Sequence, residues 1–150
     1  VCLGNICRSP IAEGVLKQMA KINNLNWTID SAGVESYHVG DPPHLYSQKI
    51  CQKHGIDISK QKARQFVAAD FKNFDKIYAM SLDVYNIIKH KGGSHFDETK
   101  TILFLNEQDP GKNRSVPDPW YGDEEDYEVV YDMIEKTCEI IIAKYKSELF

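Results

Sequence analysis

A thiol and a guanidinium close the two ends of a short loop, Cys2-Leu3-Gly4-Asn5-Ile6-Cys7-Arg8-Ser9, that runs straight into a helix-like stretch. Backbone N–H groups in such a loop can turn inward as an anion nest, Gly4 permits close approach, and the helix end adds roughly half a positive charge. Arg8 supplies a planar fork matched to two oxygens of a tetrahedral oxyanion. The same surroundings predict that Cys2 ionises, since helix N-termini and nearby cations lower a cysteine pKa from ~8.5 to as little as ~3.5–7.5. Cys2 is then a thiolate facing a phosphorus held by Leu3, Gly4, Asn5, Ile6, Cys7 and Arg8. The Cys-x5-Arg spacing is a weak signal by itself; the loop glycine, Ser9, Pro10 and a strand expected just upstream make it a coherent cradle.

A thiolate that attacks phosphorus needs an acid, because the leaving alkoxide or phenolate must gain a proton as its bond breaks. Asp118 is the candidate. Prolines on both sides, in Pro117-Asp118-Pro119-Trp120-Tyr121, restrict the backbone and aim the carboxylate. An isolated Asp-Pro is more often an ordinary turn, as at Asp109-Pro110.

The elements that must position these groups follow from periodicity. A first helix is expected near 9–23, with Ser9 as N-cap, Pro10 at the first helical position and Ile11, Ala12, Val15, Leu16, Met19 and Ala20 on its apolar side. Residues 27–31 alternate and read as a strand closed by Ala32-Gly33. Asp41-Pro42-Pro43 opens a second helix that runs to His54-Gly55, and 68–74 reads as a short helical turn. Residues 75–80 and 101–105 have buried-strand length and flank a helix over 82–91 capped by Ser81. Residues 108–121 should be a surface loop, and 124–149 a closing helix with an acidic start. Helices alternating with strands predict an α/β, three-layer sandwich: a parallel sheet with helices on both faces and ligands at the carboxyl ends of the strands.

Composition agrees with one domain over 1–150, with 42% apolar and 27% charged residues and no linker or repeat. A formal charge of -4 offers no general pull toward nucleic acid or anionic membrane. Four cysteines, Cys2, Cys7, Cys51 and Cys138, are too few for a disulfide scaffold, which points to a reducing, cytoplasmic setting. The apolar run 140–143 is too short to cross a bilayer. Cys2 and Cys7 have zinc-like spacing, but no second pair answers them and His38, His44 and His54 are scattered, so no metal or cofactor is expected. The chain opens at Val1, directly on the loop, and further residues are expected upstream.

Through Val1-Cys2-Leu3-Gly4-Asn5-Ile6-Cys7-Arg8-Ser9-Pro10 and Asp118-Pro119-Trp120-Tyr121-Gly122, the chain resembles the low-molecular-weight protein tyrosine phosphatases. The resemblance also takes in 29–31, 62–65, 74–75 with the strand that follows, and 126–130. It implies a four-stranded parallel sheet flanked by helices, with the phosphate-binding loop between the first strand and the first helix. It implies hydrolysis of phosphotyrosine in proteins or peptides through a phosphocysteine, and inhibition by inorganic phosphate and other oxyanions such as vanadate. Cys2 would be the nucleophile, Arg8 the phosphoryl-binding residue, and Asp118 the general acid that later activates water. Ser9 would stabilise the departing thiolate, Asn5 would hold a left-handed conformation, and Ser31 would help secure the loop. Cys7 matches a cysteine able to form a reversible disulfide with the nucleophile. Tyr37, Trp120 and Tyr121 match the aromatic wall of the pocket mouth, and His38 a variable position that tunes substrate choice. Gln61 departs from the family, which commonly has a histidine there. Lys60, Lys62 and Arg64 offer either a landing site for acidic phosphopeptides or an ordinary solvated loop.

Two other readings of the cradle differ in class. A thiol-dependent arsenate reductase needs cysteines that relay a disulfide, and Cys51 and Cys138 are not closely paired. A non-catalytic phosphopeptide-binding module would need neither Cys2 nor Asp118.

Overall fold

The computed structural model describes residues 1–148. Its helices are α1 (Arg8–Ile22), α2 (Leu45–Lys53), α3 (Asp70–Asn73), α4 (Leu82–Gly92) and α5 (Glu124–Tyr145), and its strands are β1 (Ile77–Ala79) and β2 (Thr101–Leu103). β1 and β2 run parallel, with Tyr78 opposite Ile102. Beyond β1, Met80 N donates to the Val1 carbonyl, and parallel bridges join Cys2 to Gly33 and Gly33 to Gln65. The order across this layer is therefore Gln65, Gly33, Cys2, β1, β2.

Period-two alternation divides the interior. Ile77 and Ala79 point into one cluster with Val34, Phe71, Val84 and Ile88, while Tyr78 and Met80 meet another built from Ile11, Val15, Ile50, Ile134 and Cys138. Helices α1, α2 and α5 thus cover one face and α3 and α4 the other, giving the predicted α/β layering. Trp27 is partly buried and packs on the second of these clusters.

Several boundaries differ from the sequence reading. Residues 27–31 alternate in exposure but join no ladder; the pairing falls at Gly33 instead, two residues beyond the β-rich run. A groove of about 610 Å3 lies between that run and β1, lined by Trp27, Ile29, Ile77 and Tyr78. Helix α1 begins at Arg8, with Cys7 at the cap position and no side-chain cap, so Ser9 is not the N-cap; its hydroxyl is engaged elsewhere. Helix α2 starts at Leu45, after the two prolines, with the His44 ring accepting from Tyr46 N at 3.1 Å, and Gly55 beyond its end has φ +76°. The second strand stops at Leu103 and tightens into a 3-10 turn over Phe104–Glu107. Ser81 caps α4 as expected. Asp123 and Asp126 form a reciprocal capping box at the start of α5, which ends at Tyr145; the expected end at 149 lies outside the described residues. No described helix is long and apolar enough to cross a membrane.

Candidate active site

The loop between Cys2 and α1 is shaped by where its carbonyls go. Those of Cys2 and Leu3 accept from Val34 N and Glu35 N, that of Ile6 from His44 N, and that of Cys7 from Ser47 Oγ. Each partner lies outside the loop. In a planar trans peptide the C=O and the next N–H point in opposite directions, so the N–H groups of Leu3, Gly4, Cys7 and Arg8 turn toward the loop's interior. This is the inward nest expected from the sequence, produced by outward tethers the sequence does not advertise.

Asn5 has φ +61°, the left-handed region, and its side chain ties three segments together. Its Nδ2 donates to Ser9 Oγ at 2.7 Å and Ser31 Oγ at 2.9 Å, and its Oδ1 accepts from Arg64 N at 3.0 Å. Ser31 in turn donates to Glu13 Oε1 at 2.6 Å. Glu13 is buried on the inner side of α1 and pairs with Lys17 at 2.7 Å. Sequence reasoning missed Glu13; its signal was a carboxylate one turn after Ser9 on a helix side otherwise apolar. Gln61 does not join this network: its Nε2 donates to the Pro10 carbonyl at 3.1 Å.

Cys2 is buried at the bottom, with its sulfur 3.0 Å from Ser9 Oγ and accepting from Asn5 N at 3.3 Å. Arg8 is only 5% exposed. Its Nη1 donates to the Val116 carbonyl at 3.1 Å, its Nη2 lies 3.6 Å from Asp118 Oδ2, and its buried Nε has no hydrogen-bond partner among the described residues. A buried, charged donor without a partner suits an incoming anion. Asp118 is brought across from the far loop and accepts from Trp120 N at 3.1 Å, while Val116 N anchors that loop to the Met80 carbonyl.

Glycines allow two close approaches. A Cβ on Gly33 would stand 2.8–2.9 Å from the backbone of Leu3, Gly4 and Asn5, so no larger residue fits where the sheet meets the loop. A Cβ on Gly4 would stand 3.0 Å from His38 Cδ2, so His38 lies on that glycine's open side. The sequence reading treated Gly33 as a strand end and missed this contact.

The mouth is partly aromatic. Trp120 sits 5.5 Å from the His38 ring and 5.5 Å from the His44 ring, whereas Tyr37 and Tyr121 project outward, 79% and 96% exposed. His44 and Tyr127 were not foreseen. The His44 ring stacks on Tyr127 at 5.2 Å, burial lowers its pKa, and the Tyr127 hydroxyl meets Cys7 Sγ at 3.4 Å. Burial pushes the Cys7 thiol up to about 11. All four cysteines are free thiols. Lys60 and Lys62 are exposed, but Arg64 is tied to Asp30 at 2.9 Å and to both oxygens of Asp70, so it is part of the frame behind the loop.

The loop thus gathers a buried sulfur, a buried guanidinium and a carboxylate around inward-turned amides, an arrangement able to receive a tetrahedral oxyanion. The chain belongs to the low molecular weight phosphotyrosine protein phosphatase family, whose model matches residues 1–149. It is 40% identical over 147 residues to the low molecular weight phosphotyrosine protein phosphatase of Gallus gallus, covering 96% of this chain and 92% of that protein. Among solved structures it is similar to a protein tyrosine phosphatase from Entamoeba histolytica with Hepes in its active site (36% identity, TM-score 0.87, 97% of this chain and 93% of that one). It is also similar to YfkJ from Bacillus subtilis (33% identity, TM-score 0.87, 99% and 93%).

Proposed function

We propose that this protein hydrolyses phosphotyrosine in proteins and peptides through a phosphocysteine on Cys2. The observation that carries the reading is the unpartnered, buried Nε of Arg8 beside inward-turned amides and the Cys2 sulfur. Family membership supports the phosphotyrosine substrate, and the relatives' names favour neither arsenate reduction nor mere binding.

The chemistry runs in two displacements. The amides of Leu3, Gly4, Cys7 and Arg8, with the Arg8 guanidinium, hold the equatorial phosphoryl oxygens and stabilise charge that grows in the transition state. The Cys2 thiolate attacks phosphorus, the P–O bond to the tyrosyl ring breaks, and Asp118 gives its proton to the leaving phenolate oxygen. Water then attacks the phosphocysteine, the Asp118 carboxylate takes the water's proton, and the S–P bond breaks to return thiolate and inorganic phosphate. The Ser9 hydroxyl, 3.0 Å from the sulfur, donates to the departing thiolate. Asn5, Ser31 and Glu13 keep that hydroxyl and the loop in register. Trp120, with Tyr37, Tyr121 and His38 at the rim, forms the wall for an aryl ring.

The same reading takes the sheet as four-stranded, with Val1-Cys2 between Ala32–Val34 and β1; the backbone bonds on both sides of Cys2 support this. It treats Cys7 as the partner of Cys2 in a reversible disulfide, and oxyanions such as vanadate as competitors for the nest.

The test is turnover of a phosphotyrosine peptide and a chromogenic aryl phosphate. Cys2→Ser should abolish both, and Asp118→Asn should lower peptide turnover by about 10²–10⁴ and that of the chromogenic ester, whose leaving anion is more stable, by less. Full turnover in Cys2→Ser would sink the mechanism.

A further inference from the structure

Asp118 lies on a loop without regular structure, between two prolines, and its carboxylate is half-exposed. Such a group needs support to reach a leaving oxygen reproducibly. The ring contacts found at the mouth run through Trp120, whose backbone N–H donates to Asp118. Both rings that meet it are imidazoles, at 5.5 Å each: His38 tilted by 50° and His44 edge-on at 74°.

Each histidine also reaches back to the phosphate loop. The backbone N–H of His44 donates to the Ile6 carbonyl at 2.8 Å. Its ring stacks on Tyr127, which holds Cys7. His38 lies on the open side of Gly4 and is itself steadied by Asp41, with Nδ1 3.1 Å from Oδ2. Two separate contact chains therefore start at the phosphate loop, pass through an imidazole ring, converge on one indole, and end at Asp118.

We propose that His38 and His44 are positioning residues that brace the acid loop against the phosphate loop by clasping Trp120 between their rings, setting the reach of Asp118. This rests on the reading of Asp118 as general acid. The brace acts through ring packing, so an apolar aromatic at either position preserves it.

A role through the acid leaves a signature that a merely structural role lacks. Losing the acid hurts phenyl phosphate, whose phenolate needs a proton, far more than 4-nitrophenyl phosphate, whose leaving anion is stable alone. The ratio of the two kcat/KM values reports protonation of the leaving group, because kcat/KM covers steps through the first P–O cleavage. For His44, Asn keeps the side-chain cap on α2 and removes the ring, while Phe keeps the ring and removes the cap. For His38, Ala and Phe make the corresponding pair.

The experiment measures both substrates with wild type, His38→Ala, His38→Phe, His44→Asn, His44→Phe and Asp118→Asn. Expected is a large change of the ratio against phenyl phosphate in Asp118→Asn. A smaller change of about tenfold in the same direction is expected in His38→Ala and His44→Asn, and little change in the two Phe variants. If Asp118→Asn shifts the ratio and the ring-removing variants do not, the brace is overturned and the acid assignment stands. If Asp118→Asn itself leaves the ratio unchanged, the acid assignment falls. A loss in the Phe variants equal to that in Ala and Asn would also overturn packing as the basis, and His38→Ala, at the solvent-facing rim, tests the idea even if a His44 variant fails to fold.

Discussion

Asn5 combines a backbone value that most residues avoid with an amide that joins Ser9, Ser31 and Arg64. Alanine at this position would keep the φ near +61° only with strain of ~1–2 kcal/mol and would strand three hydrogen-bond partners. Asn5→Ala is expected to lower stability by about 2–4 kcal/mol and kcat/KM by at least about tenfold. Asn5→Gly should regain the strain component in a urea unfolding titration but not the activity. Equal stability in the Ala and Gly variants would show that the left-handed backbone is not what selects asparagine. At this scale the sequence is legible where several residues agree on one cradle: Ser9 meets the Cys2 sulfur at 3.0 Å and Arg8 lies 3.6 Å from Asp118. Glu13, Gly33 and His44 were harder to see, since their importance lies in contacts made across long stretches of chain. A buried carboxylate that accepts from Ser31, or a glycine that admits the phosphate loop's backbone, is a fact of tertiary packing.

The elements were readable wherever a local rule had no competitor. Ser81 caps α4 because serine accepts from Val84 N, and the acidic start of α5 becomes a capping box. Ser9 is the instructive failure. It has cap chemistry beside a helix start, yet its hydroxyl faces Cys2 and Asn5, and the loop's own turn begins the helix one residue earlier. Residues 27–31 fail for another reason: β propensity describes a surface fit for pairing, and the pairing that exists begins at Gly33. The Asp123 cap reaches the site through Tyr127, one turn into α5, which buries its ring on His44 and meets Cys7. Asp123→Ala is expected to lower stability by about 1 kcal/mol. Hydrogen exchange should speed up for amides in the first turn of α5, and unchanged protection there would show that the capping box contributes nothing.

Two buried clusters lie on opposite faces of a narrow sheet, and the site, with a smaller cluster of Ile6, Cys7, Ala63 and Tyr127, sits where the sheet's central segment turns into α1. Glu107, held by Tyr78 of β1 and Lys144 of α5, is expected to tie stability to pH. Glu107 is buried, and burial alone would raise its pKa; hydrogen bonds from Tyr145, Tyr78 and Lys144 outweigh that and hold it below 4.5. A carboxylate with a lowered folded pKa adds stability above its unfolded value, and that share is lost as pH falls through the folded one. Wild type should therefore exceed Glu107→Gln in stability by about 1–3 kcal/mol at neutral pH. The gap should narrow below pH 4.5 in urea titrations, and a gap independent of pH would remove this account.

Every step from loop geometry to turnover requires phosphorus to pass through sulfur. Quenching the enzyme with acid during steady turnover of an aryl phosphate, followed by peptide mass spectrometry, reads that directly. Phosphate should be found on the peptide carrying Cys2, at its sulfur, and should be absent from Cys7. Steady turnover with no phosphorylated Cys2, or with phosphate on a different residue, would contradict the assignment.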